Sequence, residues 1–302
     1  MGIDVTIRNR QFFKKALKIT DITMGKYACG TLDEYDRNTG EVTNGDLIVY
    51  NPKKIGRGVC VTNWNPNIKS QIDLRVNFLS TRYDMEMFYD IIRNIMHVWK
   101  ADTFEQDGST LTEADIDATC KDNKELSLKY MVEMCKKDDD SKKCFTIWGA
   151  MFQLDIDTDL LVKFGSEKDE EGYADYLHGL QSRDLYYAVP GIYGVKGKEN
   201  AYFGAYAVSS TVDTVFPLEA QAPIFAKNPA TNKKLECDFF VVSLYSIAQR
   251  KSLAIMSFED FCRLADIKNC PMFDKTHVVL KGISEEKLAE IAASEYVNPL
   301  EK

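Results

Sequence analysis

Histidine is scarce in this chain: 302 residues carry only His97, His178 and His277. That argues against a metal centre built from histidines. Any nucleophile–base pair would need one of the three beside a cysteine brought close by folding. Other signatures are missing too. No two cysteines stand at Cys-x-x-Cys spacing. No glycine run matches a phosphate cradle: Gly191, Gly194 and Gly197 are spaced three apart and lead towards a strand, so they read as a turn carrying Lys196 and Lys198. No apolar run approaches the roughly 20 residues of a membrane span, and residues 1–6 show no apolar leader core. They do fit the letters of an N-myristoylation signal, but the alternation of Ile3, Val5 and Ile7 with Asp4, Thr6 and Arg8 reads as a half-buried first strand.

The charge balance is acidic, 38 Lys and Arg against 46 Asp and Glu, for a net charge of −8. With the lysines read as interleaved among the acids, the expectation is no nucleic-acid partner; with no run of membrane-span length, no membrane partner is expected either. The eight cysteines (Cys29, Cys60, Cys120, Cys135, Cys144, Cys237, Cys262 and Cys270) are read as reduced thiols of a cytoplasmic protein, with Cys60 and Cys237 as small core residues of strands.

What is present is helix-start grammar. An apolar residue, a hydroxyl and an acid precede an apolar stripe at Thr81–Asp84, Thr112–Asp115, Ser257–Asp260 and Ser284–Glu286. The hydroxyl can accept an orphan backbone N–H of the first turn, and the acids complement the helix dipole. Leu111 on Ile116, Met256 on Phe261 and Ile283 on Leu288 are expected as staples. Ser284-x-x-Lys287 matches a serine-lysine hydrolase pattern by letters, but an N-cap role explains Ser284.

The strongest helix runs from Arg82 to about Lys100. Met85, Phe88, Tyr89, Ile92, Ile95, Met96 and Trp99 form its stripe, with Glu86, Asp90, Arg93 and His97 opposite. Before it, Gly58–Trp64 and Ile72–Leu79 read as a hairpin. After it come a turn at Asp107-Gly108, a short helix near Glu113–Thr119 and another from Asn123 to Lys137. The second half reads as strands over Phe145–Asp155, Leu185–Val195, Ala201–Val215, Cys237–Ser246, Ser252–Met256 and Thr276–Lys281. Helices are expected at Asp159–Phe164, Glu167–Leu180, Phe258–Ala265 and Glu285–Ser294. The fold class expected is α+β: antiparallel sheets built from hairpins with helices packed on one face, arranged as two β-β-α halves. The charged run at 136–143 suggests domains at 1–140 and 141–302.

Asp155, Asp157 and Asp159 alternate after an apolar strand and are the candidate metal ligands. As a calcium loop the segment fails, with Leu160 at the sixth position and Ser166 at the twelfth. Asp155 and Asp157 resemble the opening acids of haloacid-dehalogenase phosphatases, but Asp159 stands where that family has Thr. A strand end that caps a helix through Asp157 or Thr158 is the competing reading, and no bound metal is expected. Asp36–Glu41 looks like a calcium loop with its glycine one place early and reads as a polar turn. Tyr187, Tyr193, Tyr202 and Tyr206 are the candidate binding surface, set against their reading as strand and core residues.

The stretch Val76–Trp99, with Leu79-Ser80-Thr81, Phe88-Tyr89 and Ile91-Ile92, resembles uncharacterised bacterial families of this length. The resemblance implies a bacterial, cytosolic protein without an assigned activity. No catalytic residue and no cofactor can be named. The functional expectation is a non-catalytic module that binds another protein in a stress, competition or immunity-like role. The alternative is a metal-dependent hydrolase or phosphatase using Asp155, Asp157 and Asp159.

Overall fold

The computed structural model describes residues 2–33, 38–137, 143–224, 226–228 and 231–301. The chain forms two compact units, Met1–Arg183 and Asp184–Lys302. The charged connector at 138–142, where a boundary was expected, and Asp36 and Arg37 of the polar turn lie outside the described residues. The fold class is α+β.

Unit 1 opens with β1 (Gly2–Arg8), α1 (Ile19–Thr23), β2 (Ala28–Thr31), β3 (Gly45–Tyr50), β4 (Val59–Trp64) and β5 (Gln71–Asn77). Then follow α2 (Arg82–Trp99), β6 (Thr103–Gln106), β7 (Ser109–Thr112) and α3 (Ile116–Lys137). The seven strands make one antiparallel sheet in the order β2-β3-β4-β5-β1-β6-β7. Period-two alternation sorts its faces. Ile3, Val5, Ile7, Ile72, Leu74 and Val76 enter one core with the α2 stripe of Phe88, Ile92, Ile95 and Trp99. On the other face Asp4 meets Arg75 at 3.1 Å, and the Thr6 hydroxyl donates to Asp73 at 2.6 Å.

The β6–β7 hairpin turns at Asp107 and Gly108, both at positive φ (47° and 85°), the geometry of a tight two-residue turn. α3 is continuous where two helices were expected. Its mid-helix Asn123 is buried and donates to the Tyr89 hydroxyl at 2.5 Å, so a residue that would otherwise favour a break is satisfied by a tertiary bond. Phe145–Asp155, expected as one strand, is a hairpin of β8 (Cys144–Trp148) and β9 (Gln153–Asp157), closed by Gly149 N–H donating to the Phe152 carbonyl at 2.8 Å. α4 (Thr158–Glu167) and α5 (Glu170–Gln181) complete the unit. At Gly165 of α4 a Cβ would stand 2.7 Å from the Leu128 carbonyl of α3, so glycine permits this close helix crossing.

Unit 2 holds β10 (Tyr186–Tyr187), β11 (Gly191–Gly194), β12 (Tyr202–Ser209), β13 (Thr214–Pro217), β14 (Phe239–Ser246), β15 (Lys251–Ser257), α6 (Phe258–Leu264), β16 (His277–Leu280) and α7 (Glu285–Ala293). Its sheets are β11-β12-β14-β15 and β10-β13-β16. Both are mixed, because β12–β14 and β10–β13 run parallel where hairpins alone were expected. Two expected long strands are each split. Pro190, with no N–H to donate, separates β10 from β11, and Thr211 at φ 61° turns the chain between β12 and β13. Phe216, Val242, Leu244, Met256, Phe258, Phe261 and Leu288 form the core, which includes the expected staple of Met256 with Phe261.

Candidate functional site

Several residues singled out in the sequence are engaged within the fold. Asp155 is 4% exposed and accepts the Thr146 hydroxyl at 2.6 Å across the β8–β9 hairpin. Asp157 caps α4 by accepting the Asp159 N–H at 2.8 Å, and Asp159 lies in the first turn of that helix. Among the described residues no group of three or more His, Cys, Asp or Glu is placed to hold a metal ion. Tyr206 is only 2% exposed, a core ring whose hydroxyl donates to the Gln221 carbonyl at 3.1 Å; burial pushes its pKa up to about 12. Tyr193 is exposed and stacks on Phe203 at 5.5 Å, Tyr202 is half-buried, and the Tyr187 hydroxyl bonds His277. The four tyrosines therefore differ in burial and do not make one uniform open patch.

None of the histidines meets a cysteine in the bonds they make. His97 is exposed and meets Glu113 at 2.9 Å. His178 accepts the Ile55 N–H through Nδ1 at 3.1 Å and so holds the loop before β4. His277 is 3% exposed, with Asp274 Oδ1 at 2.9 Å from Nδ1 and the Tyr187 hydroxyl at 3.1 Å from Nε2. That line of Asp, His and Tyr is ordered like a proton relay. It also ties β10 to β16, an ample reason for a buried polar chain. All eight cysteines are free thiols. Cys237 lies ahead of β14 and outside the strand in which it was expected. Burial raises the thiol pKa values of Cys29, Cys120, Cys237 and Cys270, and that of Cys262 to about 12, the reverse of what a nucleophile needs.

A second buried network sits at the start of α2. Asp84 is fully enclosed and accepts the N–H groups of Arg57, Gly58 and Thr81, each at 2.9 Å, and the Thr81 hydroxyl at 2.8 Å. Burial raises its pKa against the pull of those donors. Arg57 donates to the carbonyls of Trp148 and Phe78, and burial lowers its pKa. Both groups point into the fold and are spent on backbone.

The feature that faces outward is the loop between β1 and α1. Arg8, Arg10, Lys14, Lys15 and Lys18 fall within eleven residues that contain no acid. This corrects the expectation that cations are interleaved throughout. At the loop's centre Phe12 is 93% exposed and Phe13 85% exposed, their rings edge to face at 5.0 Å. Both shoulders are pinned. Asn9 N–H donates to the Ser70 carbonyl and Leu17 N–H to the Ile68 carbonyl, each at 2.9 Å. Leu17 is buried, and the Trp99 indole N–H donates to the Lys15 carbonyl at 2.9 Å. Beside the loop is a cleft of about 230 Å³ lined by Thr6, Arg8, Arg10, Lys100, Asp102 and Glu105 among others. Arg8 pairs with Glu105, and Lys14 reaches the Ser70 hydroxyl at 3.3 Å. The signal was present in the sequence as the string Arg-Asn-Arg-Gln-Phe-Phe-Lys-Lys.

No helix among the described residues is long and apolar enough to cross a membrane. No curated protein and no solved structure matches the chain. The sequence pattern of one family, DUF4299, described as a domain of unknown function, covers residues 2–291, and the chain belongs to that family.

Proposed function

We propose that this protein is a non-catalytic binding module that docks onto an acidic surface through residues 9–18. One observation carries the reading: two adjacent phenylalanines, 93% and 85% exposed, are held out between cations by a loop anchored at both shoulders. Exposed apolar side chains flanked by charge mark interaction sites, because leaving them in water is otherwise a cost without return. The ionisable groups elsewhere support the same reading. Asp155, Asp157 and Asp159 serve a hairpin and a helix cap, Asp84 and Arg57 hold backbone, and the Asp274–His277–Tyr187 chain joins strands. A hydrolase built on the three aspartates has less in its favour, because Asp155 is enclosed and Asp157 is engaged at a helix N-terminus. The proposal keeps a bacterial, cytosolic setting and a stress, competition or immunity-like role.

The test is photo-crosslinking in cells from benzoylphenylalanine placed at position 12, with position 42 as control. Val42 is also exposed, but it stands away from the cationic run. A discrete adduct from position 12, to a protein or to a lipid, and none from position 42 is the expected result. Equal labelling from both, or none from either, contradicts the reading.

A further inference from the structure

We infer that the acidic surface met by this loop is an anionic lipid bilayer, entered by Phe12 and Phe13 to headgroup depth and gripped by Arg10, Lys14, Lys15 and Lys100. The inference rests on the loop being the docking element and names what it docks to. Area favours a bilayer over a protein partner. The large exposed hydrophobics of unit 1 among the described residues are Phe12, Phe13 and Val42. A stable protein interface needs about 800 Å² per partner around an apolar centre, and two rings on a loop tip fall well short. A bilayer demands no matching surface: aromatic rings partition into its interface one at a time.

The placement of charge points the same way. Cations stand on both sides of the rings, Arg8 and Arg10 before, Lys14, Lys15 and Lys18 after, with no acid between. Lys69 joins them, because its neighbours Ile68 and Ser70 are the residues that hold the loop. Rings at the acyl boundary and ammonium groups at the phosphates is the order in which a leaflet presents its own chemistry. Outside residues 8–18 the chain carries 33 Lys and Arg against 46 Asp and Glu, so this loop is the cation-rich segment that an anionic leaflet attracts.

The cleft beside the loop offers a seat for a phosphate. With Arg8 taken by Glu105, Arg10 and Lys100 line it without an acid partner among the described residues, and Asp102 is the remaining acid in its wall. At about 230 Å³ it admits a phosphate with its waters, since one water occupies about 30 Å³. Arg10 lies in this wall and two residues from Phe12, so one lipid phosphate seated there would lie beside the inserting rings. The pinned shoulders mean that little ordering cost falls on binding.

The experiment is co-sedimentation of the full chain with vesicles of phosphatidylcholine alone and with vesicles in which about a third of the lipid is phosphatidylglycerol. Binding is expected to the anionic vesicles only and to fall as salt rises from about 0.1 M to about 1 M. Lys14→Ala with Lys15→Ala is expected to weaken partitioning about thirtyfold, near fivefold per charge. Phe12→Ser with Phe13→Ser is expected to weaken it at least about tenfold, and Arg10→Ala with Lys100→Ala should also weaken it. All variants are exposed-site changes whose folding is checked by tryptophan fluorescence. Indifference to lipid charge, or anionic binding unchanged in the Phe double variant, overturns the inference. A crosslink from position 12 to a protein, with no vesicle binding, overturns the bilayer while leaving the loop as a docking element. Loss of both removes the two together.

Discussion

Asp84 accepts the backbone N–H of Arg57 at 2.9 Å across a sequence separation of 27 residues, and with that bond the first turn of α2 is joined to the loop that enters β4. The same carboxylate closes the capping box with Thr81. Removing it strands three backbone donors, those of Arg57, Gly58 and Thr81. Asp84→Ala should therefore cost at least about 3 kcal/mol, because each buried donor left unsatisfied costs about 1–3 kcal/mol. Urea unfolding followed by tryptophan fluorescence reads this unit directly, because Trp64, Trp99 and Trp148 all lie in it. A loss below about 1 kcal/mol, the worth of a simple cap, would show that Asp84 is only a cap.

The helical phase of α2 gives a paired prediction. Phe88 has no exposed surface and His97 keeps 60% of its side chain in water. Phe88→Ala should destabilise by about 3–5 kcal/mol, and His97→Ala should stay within about 0.5 kcal/mol. The same fluorescence assay measures both, and similar losses at the two sites would break the account of the core.

Much of this architecture is local and was therefore readable. At Thr81 and Ser257 the hydroxyl accepts the N–H three residues on, at 3.1 Å in both cases, and Ser284 does so at 3.2 Å. At Thr112 the carboxylate of Asp115 instead accepts the threonine N–H and hydroxyl. The α2 stripe and the β4–β5 and β14–β15 hairpins follow from periodicity. What was not readable depends on distant partners. Asp84 looked like an ordinary first-turn acid until Arg57 and Gly58 arrived from another loop. Asn123 reads in the sequence as the start of a second helix, whereas α3 runs through it and Tyr89 accepts its side-chain N–H. The parallel β12–β14 pairing spans a long crossover that no local pattern encodes. The loop between β1 and α1 is a different case: its charge run was in plain sight, and what only the structure adds is that both rings face water.

Glu285 predicts acid sensitivity in unit 2. Its carboxylate accepts the Ser210 hydroxyl at 2.5 Å, the Ser246 hydroxyl at 2.6 Å and the Ala248 N–H at 2.9 Å, and these bonds hold its pKa below the ordinary value. A depressed folded pKa means stability that is fully present above about pH 4.3, the unfolded value, and lost as pH falls through the lower folded one. Glu285→Gln should flatten that acid limb in circular-dichroism melts between about pH 5 and pH 3. An unchanged limb would show that the three bonds do not favour the ionised form.

With all eight cysteines free, melts with and without dithiothreitol should coincide. A core of this size needs no covalent staples, unlike domains below about 80 residues. A fall of many degrees on reduction would reveal a bridge and contradict the free-thiol arrangement.

The central claim is that Phe12 and Phe13 serve docking and not folding. The most direct measurement is the Phe12→Ser, Phe13→Ser double variant, assayed side by side for urea stability and for crosslinking from position 11 in cells. The account expects stability within about 0.5 kcal/mol of the parent, as for exposed positions generally, together with loss of the crosslink. A variant that unfolds readily, or one that keeps its crosslink undiminished, would contradict it.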